Sequence, residues 1–477
     1  MAEDKLTSRG ENFSDWYNEV VLRADMADYA PVRGCMVVKP YGWALWENIQ
    51  AALDRRFKET GAVNAAFPLL IPMSFFEKEK EHIEGFAPEL AVVTHGGNAE
   101  LEEPLVVRPT SETIIGYMYS KWIKSYRDLP VMINQWANVV RWEMRTRLFL
   151  RTMEFYWQEG HTAHATEQEA NEEALRMLDV YEDFAVNEAA VPVIKGEKSA
   201  TERFAGALHT YSIEAMMGDT KALQAGTSHF LGQNFAKSFN IQYLDQNNTL
   251  QYCWTTSWGL STRFIGAIIM THGDDNGLIL PPRLAPYQIV IVPIYKNDEE
   301  RSLVMPAVDK IQQQLKEFRV KVDNRTEVTP GFKYHEWELK GVPLRLEVGP
   351  KDVAKNSVMA ARRDMPGKPG KSFMSQDNLA EQVRTMLDTI QKALLTNATN
   401  FRDQNIHQVE TYDQLKQVVE NGWAEAYWCG DPACEAKIKE DTKATSRCMP
   451  FNQTHEHGKC ICCGKDTDQK IYFAKAY

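Results

Sequence analysis

Before Cys429, this 477-residue chain holds two cysteines, Cys35 and Cys253. A secreted protein stabilised by disulfides would not leave most of its length without cysteine. Long apolar runs are also missing: the segment Phe264–Met270 is far too short to span a bilayer, which takes about 20 residues. The N-terminal residues are polar and acidic and lack the apolar core of a signal peptide. These absences exclude disulfide-built and membrane-spanning proteins and predict a cytoplasmic location.

The glycine motifs of common nucleotide and hydrolase sites are missing as well. Gly370-Lys371-Ser372 lacks the glycine that a phosphate-binding loop needs five positions earlier, where Met365 stands. The chain has no dinucleotide-binding glycine fingerprint, no HExxH zinc helix and no GxSxG nucleophile turn. Whatever ligand the chain binds is therefore not held by these familiar loops.

The composition is that of a globular protein. Hydrophobic residues make up 44% of the chain and charged residues 25%, which excludes wholesale disorder. At roughly 150 residues per domain, the length predicts about three domains. The formal net charge is -11, so a nucleic acid would have to be bound by a local basic face.

The first stretch, to about residue 282, mixes aromatic-rich strands with helices. It lacks the regular strand–helix alternation of a parallel sheet, which predicts an α+β domain with a largely antiparallel sheet. Thr166 and Glu169 form a capping box at the start of a predicted helix, Thr166–Val191. This helix carries an apolar stripe suited to packing, made of Leu175, Leu178, Tyr181, Phe184 and Ala185.

A change of character follows the prolines Pro281, Pro282 and Pro286. Tyr287–Ile294 is a continuous apolar run suited to a buried parallel strand, and the pattern after it predicts a small α/β domain with a parallel core. The other elements predicted in this domain are a helix at Glu299–Phe318, a strand at Val320–Asp323, a helix ending near Gly341, a strand at Leu344–Val348, a flexible Gly/Pro/Lys loop after Asp364 and a closing helix at Asn378–Leu395. The predicted domains are 1–283, with a short helical insertion at about 165–220, then 284–396, then 397–477.

Arginine is concentrated at one place in the first domain. Four arginines fall within eleven positions, at Arg141, Arg145, Arg147 and Arg151, beside strand-like aromatic residues. A lone arginine is usually a solvated loop charge, but four together indicate a clamp for a polyanion, because guanidinium groups bind phosphate oxygens in pairs. Arg263 enters an apolar segment and needs an anionic or aromatic partner there.

Six cysteines crowd the last fifty positions. Cys429-x4-Cys434 and Cys460-x2-Cys463 have the paired spacing of a four-thiolate zinc site. The other candidates in this part of the chain are Cys448, Cys462, His455 and His457. The alternative is a reduced cysteine cluster that holds no metal.

Several segments resemble the class II aminoacyl-tRNA synthetases. Gly61-x-x-Asn64-x-x-Phe67-Pro68 resembles their motif 1, Arg141–Phe155 their motif 2, and Gly259–Arg263 their motif 3. Three further segments narrow the resemblance to the prolyl-tRNA synthetases of archaeal/eukaryotic-like type, namely Arg108–Glu112, Trp157–His164 and Gln224–His229. The resemblance covers nearly the whole chain.

The resemblance implies the class II synthetase fold, ATP-dependent activation of L-proline to prolyl-adenylate, and transfer of proline to tRNA(Pro). The attacking carboxylate is already ionised at neutral pH, so activation needs charge neutralisation and in-line positioning rather than a general base. Arg141 and Arg263 are the expected catalytic residues. Magnesium is expected with ATP because the charge of the triphosphate must be compensated.

Residue roles follow from the same resemblance. Thr110 and Glu112 are expected to accept hydrogen bonds from the secondary ammonium of proline, and Trp157 and Phe204 to enclose its ring. The expected proline set is Thr110, Glu112, Arg141, Trp157, Glu159, His161, Phe204, His229 and Ser257. Glu143 is expected to bind the adenine amino group, and Phe155 to stack on the adenine opposite Arg263. The expected ATP set is Arg141, Glu143, Arg151, Thr152, Phe155, Gln224, Thr227, Ser261 and Arg263.

The second domain is the expected anticodon-binding domain. Between Gly331 and Lys371 the chain carries nine Lys or Arg against five acidic residues, and Gly341–Asp352 resembles the anticodon-binding domain of class II synthetases. Proline anticodons share two guanines, which pair with Arg, Lys or carboxylate groups, and the matching residues are Glu338, Arg345 and Lys351.

The resemblance also gives expectations about partners and the tail. The tail is expected to hold structural zinc, and motif 1 to help form a homodimer. Tyr477 is expected to pack back toward the catalytic domain, as the C-terminal tyrosine does in relatives of this type. Neither a membrane nor DNA is expected as a partner.

Two other functions remain open at this point. The first is a class II synthetase for another amino acid of the same subgroup, such as threonine or histidine, although the Thr110-Ser111-Glu112 and Trp157–His161 segments argue against it. The second is a non-catalytic paralogue that binds RNA, although such paralogues usually lose the arginines that are present at positions 141 and 263. Only 60 positions separate His164 from Gln224, too few for the editing insertion of typical bacterial enzymes, so no editing in cis is expected.

Overall fold

A computed structural model describes residues 5–77, 90–143 and 145–477. Residues 1–4 of the polar N-terminal segment and Met144 of the arginine-rich segment lie outside the described residues. None of the helices in the described part of the chain is both long and apolar enough to cross a membrane.

The first domain is built on a largely antiparallel sheet, as predicted. Its strands, in spatial order, are Met449–Pro450, Val193–Glu197, His209–Met216, Ala222–Gly232, Trp254–Ser261, Glu154–His164, Val131–Val140 and Val63–Asn64. Only the last pair among these described strands is parallel. The helices of this region are Phe13–Arg23, Pro40–Glu59, Met73–Glu77, Glu112–Trp122, Glu167–Asp183, Asn234–Phe239 and Arg263–His272.

Smaller sheets surround the main one. They are formed by Ala27–Tyr29 with Met36–Val38, by Gln242–Leu244 with Leu250–Tyr252, and by Leu70–Pro72, Ala99–Val107 and Ala91–Gly96. The segment predicted as a buried helix or strand at Phe264–Met270 is helical, and residues from Phe264 to Met270 are all buried.

The predicted insertion at about 165–220 is only partly helical. The helix Glu167–Asp183 begins with the predicted capping box of Thr166 and Glu169. It is shorter than predicted, because a π-helical turn, Phe184–Glu188, replaces the regular helix after Asp183. Leu178, Tyr181, Phe184 and Ala185 of the predicted stripe are fully buried, and Leu175 packs at the edge of the same core. The rest of the insertion supplies two strands of the main sheet, Val193–Glu197 and His209–Met216.

The second domain has the predicted parallel core with an antiparallel extension. Its strands, in spatial order, are Val320–Val322, Ile289–Pro293, Leu344–Val348, Ser357–Arg362 and Lys371–Ser375. The first three are parallel and the last two antiparallel. Its helices are Asp298–Gln314, Pro330–Leu339, Pro350–Ala354 and Leu379–Gln404.

Two predictions in this domain were wrong in extent. The Gly/Pro/Lys segment after Asp364 is not all loop, because its end forms an edge strand, Lys371–Ser375, whose side chains are mostly exposed and show no apolar alternation. The closing helix does not stop at Leu395 but continues to Gln404, past residue 396, since its buried stripe through Ile390 and Leu394 extends to Ala398.

The tail forms a small α/β unit that also joins the first domain. Its sheet has the order Ile406–Gln408, Trp423–Tyr427, Lys470–Ala474, Thr445–Ser446, beside a pair formed by Gly458–Lys459 and Asp466–Thr467 and the helices Tyr412–Val418 and Pro432–Thr442. Tyr477 packs on the first domain as expected. Its hydroxyl donates a 2.7 Å hydrogen bond to Asp219, and its amide N–H donates a hydrogen bond to the carbonyl oxygen of Ala222.

Candidate active site

The register of the main sheet places distant residues in one row. Thr210 pairs with His229, His229 with Ser257, and Ser257 with His161, across four neighbouring strands. Side chains on a strand alternate between the two faces, so Glu159 and Trp157 share the face of His161. Residues from four segments of the chain therefore come together on one face of the sheet.

A glycine in the Trp157–His164 segment is required by close packing. A Cβ atom on Gly160 would lie 2.1 Å from the indole ring of Trp258, which is buried. Any other residue at position 160 would displace this tryptophan, which packs against Phe57 in the core.

The first cavity, which we call pocket A, has a volume of about 220 Å³. Its walls bring together every residue of the expected proline set. The lining residues are Thr110, Glu112, Arg141, Trp157, Glu159, His161, Glu202, Phe204, Thr210, Gln224, Thr227, His229, Ser257, Trp258 and Gly259.

Glu159 is the centre of a buried hydrogen-bond network. Its carboxylate accepts hydrogen bonds from the amide of Ser111 at 3.0 Å and from Nε2 of Gln135 at 2.9 Å, and Nε2 of His161 lies 3.0 Å away. Burial disfavours a charged imidazole, but the Glu159 carboxylate outweighs it, and the pKa of His161 is raised. Because its oxygens are engaged in this way, Glu159 positions the wall of the pocket.

The other histidine of the row is in a different state. Burial lowers the pKa of His229 to about 4, so its imidazole is neutral at physiological pH. The ring stacks on Phe204 with 4.4 Å between centroids, and its Nδ1 lies 3.0 Å from the Thr210 hydroxyl. This pair forms a flat apolar wall.

Three residues that line pocket A have a buried polar side-chain atom without a hydrogen-bond partner within the described chain. These atoms are the hydroxyl of Ser257 and the indole Nε1 atoms of Trp157 and Trp258. Buried polar groups are normally hydrogen-bonded. Ser257 and Trp157 belong to the expected proline set, and their two atoms are suited to meet a polar ligand.

The acidic end of the pocket is held by a buried arginine. Thr110 donates a hydrogen bond to Glu112, which begins the helix Glu112–Trp122. Arg108 anchors this segment by donating to the carbonyl oxygens of Phe67 and Asn138, each at 2.8 Å. Motif 1 and the Arg108–Glu112 segment are thereby joined.

A second cavity, pocket B, has a volume of about 260 Å³. Its lining residues are Arg141, Glu143, Phe149, Leu150, Arg151, Thr152, Phe155, Ser261 and Arg263. Of the expected ATP set, Gln224 and Thr227 are placed on pocket A instead. A larger cavity of about 570 Å³ lies between the N-terminal segment and the helix Leu379–Gln404 and contains none of the expected site residues, so size alone does not identify the site.

Pocket B is strongly cationic. Arg263 donates from Nε to the carbonyl oxygen of Leu150 at 2.9 Å. Burial, followed by repulsion from Arg151 and Arg141, lowers the pKa of Arg263 to about 10. One of these cations has an acidic partner, since the Nε of Arg151 lies 3.6 Å from the carboxylate of Glu143.

Arg141 lines both pockets. Its Nε donates to the carbonyl oxygen of Pro109 at 3.0 Å, and its guanidinium carbon lies 5.4 Å from the ring centroids of both Phe155 and Trp157. The side chain is thus fixed where the two cavities meet.

Sequence reasoning missed several lining residues. They are Glu202, Thr210, Trp258 and Gly259 in pocket A and Phe149 and Leu150 in pocket B. Phe149 occupies a left-handed turn with φ of 62°, within a hairpin closed by backbone bonds between Arg147 and Arg151. The arginine cluster signalled this hairpin, but nothing in one sequence singles out Glu202 or Thr210.

The paired cysteines of the tail converge. The sulfur atoms of Cys429, Cys434, Cys460 and Cys463 all lie within 4.8 Å of one another. Sulfur atoms around a tetrahedral zinc ion lie about 3.8 Å apart, given Zn–S bonds of about 2.3 Å. The distances from Cys429 to Cys434 and Cys463 are 3.9 and 3.6 Å. The four thiols therefore fit a zinc ion.

Two of the expected anticodon residues lie together. Arg345 is buried, and its guanidinium contacts Glu347 at 3.0 Å and Glu338 at 3.3 Å. It also lies 4.1 Å from the ring centroid of Tyr334. Lys351 is exposed on the short helix Pro350–Ala354.

Comparisons with known proteins agree with this arrangement. The tRNA synthetase class II core domain (G, H, P, S and T) matches residues 95–272, an anticodon binding domain matches 288–386, and the prolyl-tRNA synthetase C-terminal domain matches 412–477. The proline–tRNA ligase of Chloroflexus aurantiacus is 60% identical over 100% of both chains. The chloroplastic/mitochondrial proline–tRNA ligase of Arabidopsis thaliana is 55% identical over 99% of this chain and 88% of its own.

A solved structure is similar over nearly its whole length. The prolyl-tRNA synthetase of Cryptosporidium parvum superimposes with a TM-score of 0.93 at 39% identity, covering 99% of this chain and 97% of its own. The chain belongs to the family of prolyl-tRNA synthetases, class II enzymes that use ATP and magnesium, and it activates proline and charges tRNA(Pro).

Proposed function

We propose that pocket A binds proline, that pocket B binds ATP, and that Arg141 joins the two reacting groups. The observation that carries this proposal is that Arg141 lines both cavities. A guanidinium at the boundary can bind the proline carboxylate and the α-phosphate together. Its positive charge offsets the repulsion between these two negatively charged groups.

The proposed first step is the formation of prolyl-adenylate. A carboxylate oxygen of proline attacks the α-phosphorus of ATP, the bond to the bridging oxygen breaks, and pyrophosphate leaves. Arg263 and Arg151 neutralise the triphosphate, and Phe155 and Glu143 hold the adenine. The Cryptosporidium parvum enzyme was crystallised with AMPPNP, an ATP analogue, which supports a nucleotide site in this fold.

The second step transfers the prolyl group. A hydroxyl of the terminal ribose of tRNA attacks the prolyl carbonyl, and AMP leaves. No residue of the site has to act as a base in the first step, since the proline carboxylate is already ionised.

Glu112 tests the assignment of pocket A. The Glu112 carboxylate is buried, and a charge-assisted hydrogen bond to the ammonium of proline is worth about 1.5–3 kcal/mol. Glu112→Gln should therefore raise the KM for proline roughly tenfold or more, with the KM for ATP little changed, in ATP–pyrophosphate exchange. The matched control is Glu102→Gln, at an exposed strand position. An unchanged KM for proline would remove Glu112 from the proline site.

In the second domain, Glu338, Arg345 and Lys351 are proposed to bind the two anticodon guanines. The contact of Arg345 with Glu338 supports this, because the cation and the carboxylate match the acceptors and the amino donor of guanine. Two measurements separate base recognition from general charge attraction. One is the binding of tRNA(Pro) in which each anticodon guanine is substituted in turn, and the other is the binding of unsubstituted tRNA(Pro) by the Lys351→Ala variant.

In the tail, Cys429, Cys434, Cys460 and Cys463 are proposed to hold one structural zinc ion. Cys463→Ser should lower the metal content from about one zinc per chain toward zero and lower the melting temperature, because zinc binding is coupled to folding in such units. Cys462→Ser, next in the chain but outside the cluster of four, should keep its zinc. Equal zinc content in both variants would refute this ligand set.

The enzyme is proposed to be a homodimer in the cytoplasm. Apolar side chains are exposed beside motif 1, at Val63, Leu69, Leu70 and Trp122. Exposed apolar side chains grouped near one motif are typical of a protein interface. Sedimentation equilibrium distinguishes one chain from two, and cell fractionation tests the location.

A further inference from the structure

One wall of pocket A belongs to an irregular segment that we call the pocket loop, residues 198–208. It joins the strands Val193–Glu197 and His209–Met216 and contributes Glu202 and Phe204 to the cavity. The Phe204 amide donates to the Thr210 hydroxyl at 3.0 Å, which is the link between the loop and the row of sheet residues described above.

The back of the pocket loop is bound by the C-terminal module, residues 405–477. Glu435, on the helix Pro432–Thr442, is buried. Its carboxylate accepts a 2.9 Å hydrogen bond from the hydroxyl of Ser199 and a further one from Thr201. Ser446 of the module donates to the same carboxylate.

A buried ion cluster joins the same two parts of the chain. Glu214 has no exposed surface. Its carboxylate accepts hydrogen bonds from the guanidinium of Arg447 of the module at 2.7 and 3.1 Å and from the ammonium of Lys198 of the pocket loop at 3.3 Å. Burial opposes the charge on Glu214, but Arg447 and then Lys198 outweigh it, and the pKa of Glu214 is lowered. A buried charge without a partner is strongly destabilising, so Lys198 stays paired with Glu214. The cluster thereby fixes the position of Lys198, where the pocket loop begins.

The backbone adds a third connection. Met449–Pro450 of the module pairs with Gly196 and Glu197, the residues just before the pocket loop. A Cβ atom on Gly196 would lie 2.2 Å from the carbonyl oxygen of Met449, so the close approach requires glycine.

We propose that the C-terminal module positions the pocket loop for proline, with Glu435 and Arg447 as positioning residues. The proposal rests on the assignment of pocket A to proline. Phe204 and its stacked partner His229 form the flat wall against which the pyrrolidine ring packs. Without the hydrogen bonds to Glu435, the pocket loop no longer fixes the position of this wall. Proline then loses its contact with the wall, while the contacts of ATP in pocket B are unchanged.

The test is a KM comparison in ATP–pyrophosphate exchange. Glu435→Ala should raise the KM for proline about tenfold, leave the KM for ATP within about twofold, and reduce discrimination against alanine. Glu440→Ala, on the exposed side of the same helix, is the matched control and should change neither constant. Glu435→Gln should recover most of the affinity, because its amide can still accept from Ser199 and can donate to Thr201.

A partner variant keeps the proposal testable if Glu435→Ala does not fold. Ser199→Ala removes the other side of the contact and should also raise the KM for proline, and combining the two changes should add little to either alone. Normal zinc content with an unchanged KM for proline in the Glu435 and Ser199 variants overturns the proposal. Failure of pocket A itself is distinguished by Glu112→Gln, which would then also leave the KM for proline unchanged.

Discussion

Replacing Arg141 by alanine should reduce proline-dependent ATP–pyrophosphate exchange by about a thousandfold or more. Removing one preorganised donor from an acyl- or phosphoryl-transfer site costs about a hundred- to a thousandfold in rate, and Arg141 is proposed to serve both reacting groups. The loss should fall mainly on kcat, since the arginine bridges carboxylate and α-phosphate most tightly as they approach each other.

Arg145→Ala is the matched control for this variant. Arg145 lies in the same arginine cluster, but its side chain is exposed and it is absent from the walls of both pockets. Because the exchange assay contains no tRNA, a contact of Arg145 with tRNA does not affect the result. Comparable losses of activity in the two variants would show that the effect comes from disturbing the loop rather than from losing the guanidinium at the pocket boundary.

Local signals explain what could be predicted from the sequence. The capping box of Thr166 and Glu169 fixes where a helix begins, and the run Tyr287–Ile294 is apolar on both faces, as a buried parallel strand requires. The paired cysteine spacing likewise reflects short turns that bring two thiols together. Each of these signals needs only a few neighbouring residues.

What could not be predicted depends on contacts between distant segments. Met449–Pro450 joins a sheet whose neighbouring strand lies some 250 positions earlier in the chain, and two residues carry no strand signal of their own. Gln135 and Ser111 hold Glu159 only because three separate segments meet in the fold. The recognised motifs predicted most residues that line the pockets, but not the residues that hydrogen-bond to those lining residues and hold them in place.

Arg263→Met should remove most of the exchange activity without lowering the melting temperature. The lowered pKa of Arg263 means that folding disfavours its positive charge, because the group is partly buried and faces Arg151 and Arg141. A methionine of similar length relieves this repulsion but offers no charge to the triphosphate. Activity and thermal stability measured on the same preparation check the prediction, and a large drop in melting temperature would contradict it.

Arg263→Lys separates charge from shape at the same position. The pKa of lysine starts about two units below that of arginine, so the same burial and repulsion would bring the ammonium much closer to neutrality. An amine is charged below its pKa, so the activity of this variant should fall as the pH is raised from 7 to 9, a range in which Arg263 stays charged with a pKa of about 10. Profiles of kcat/KM for ATP that run parallel in the two enzymes would mean that the arginine acts through its hydrogen bond to Leu150 rather than through its charge.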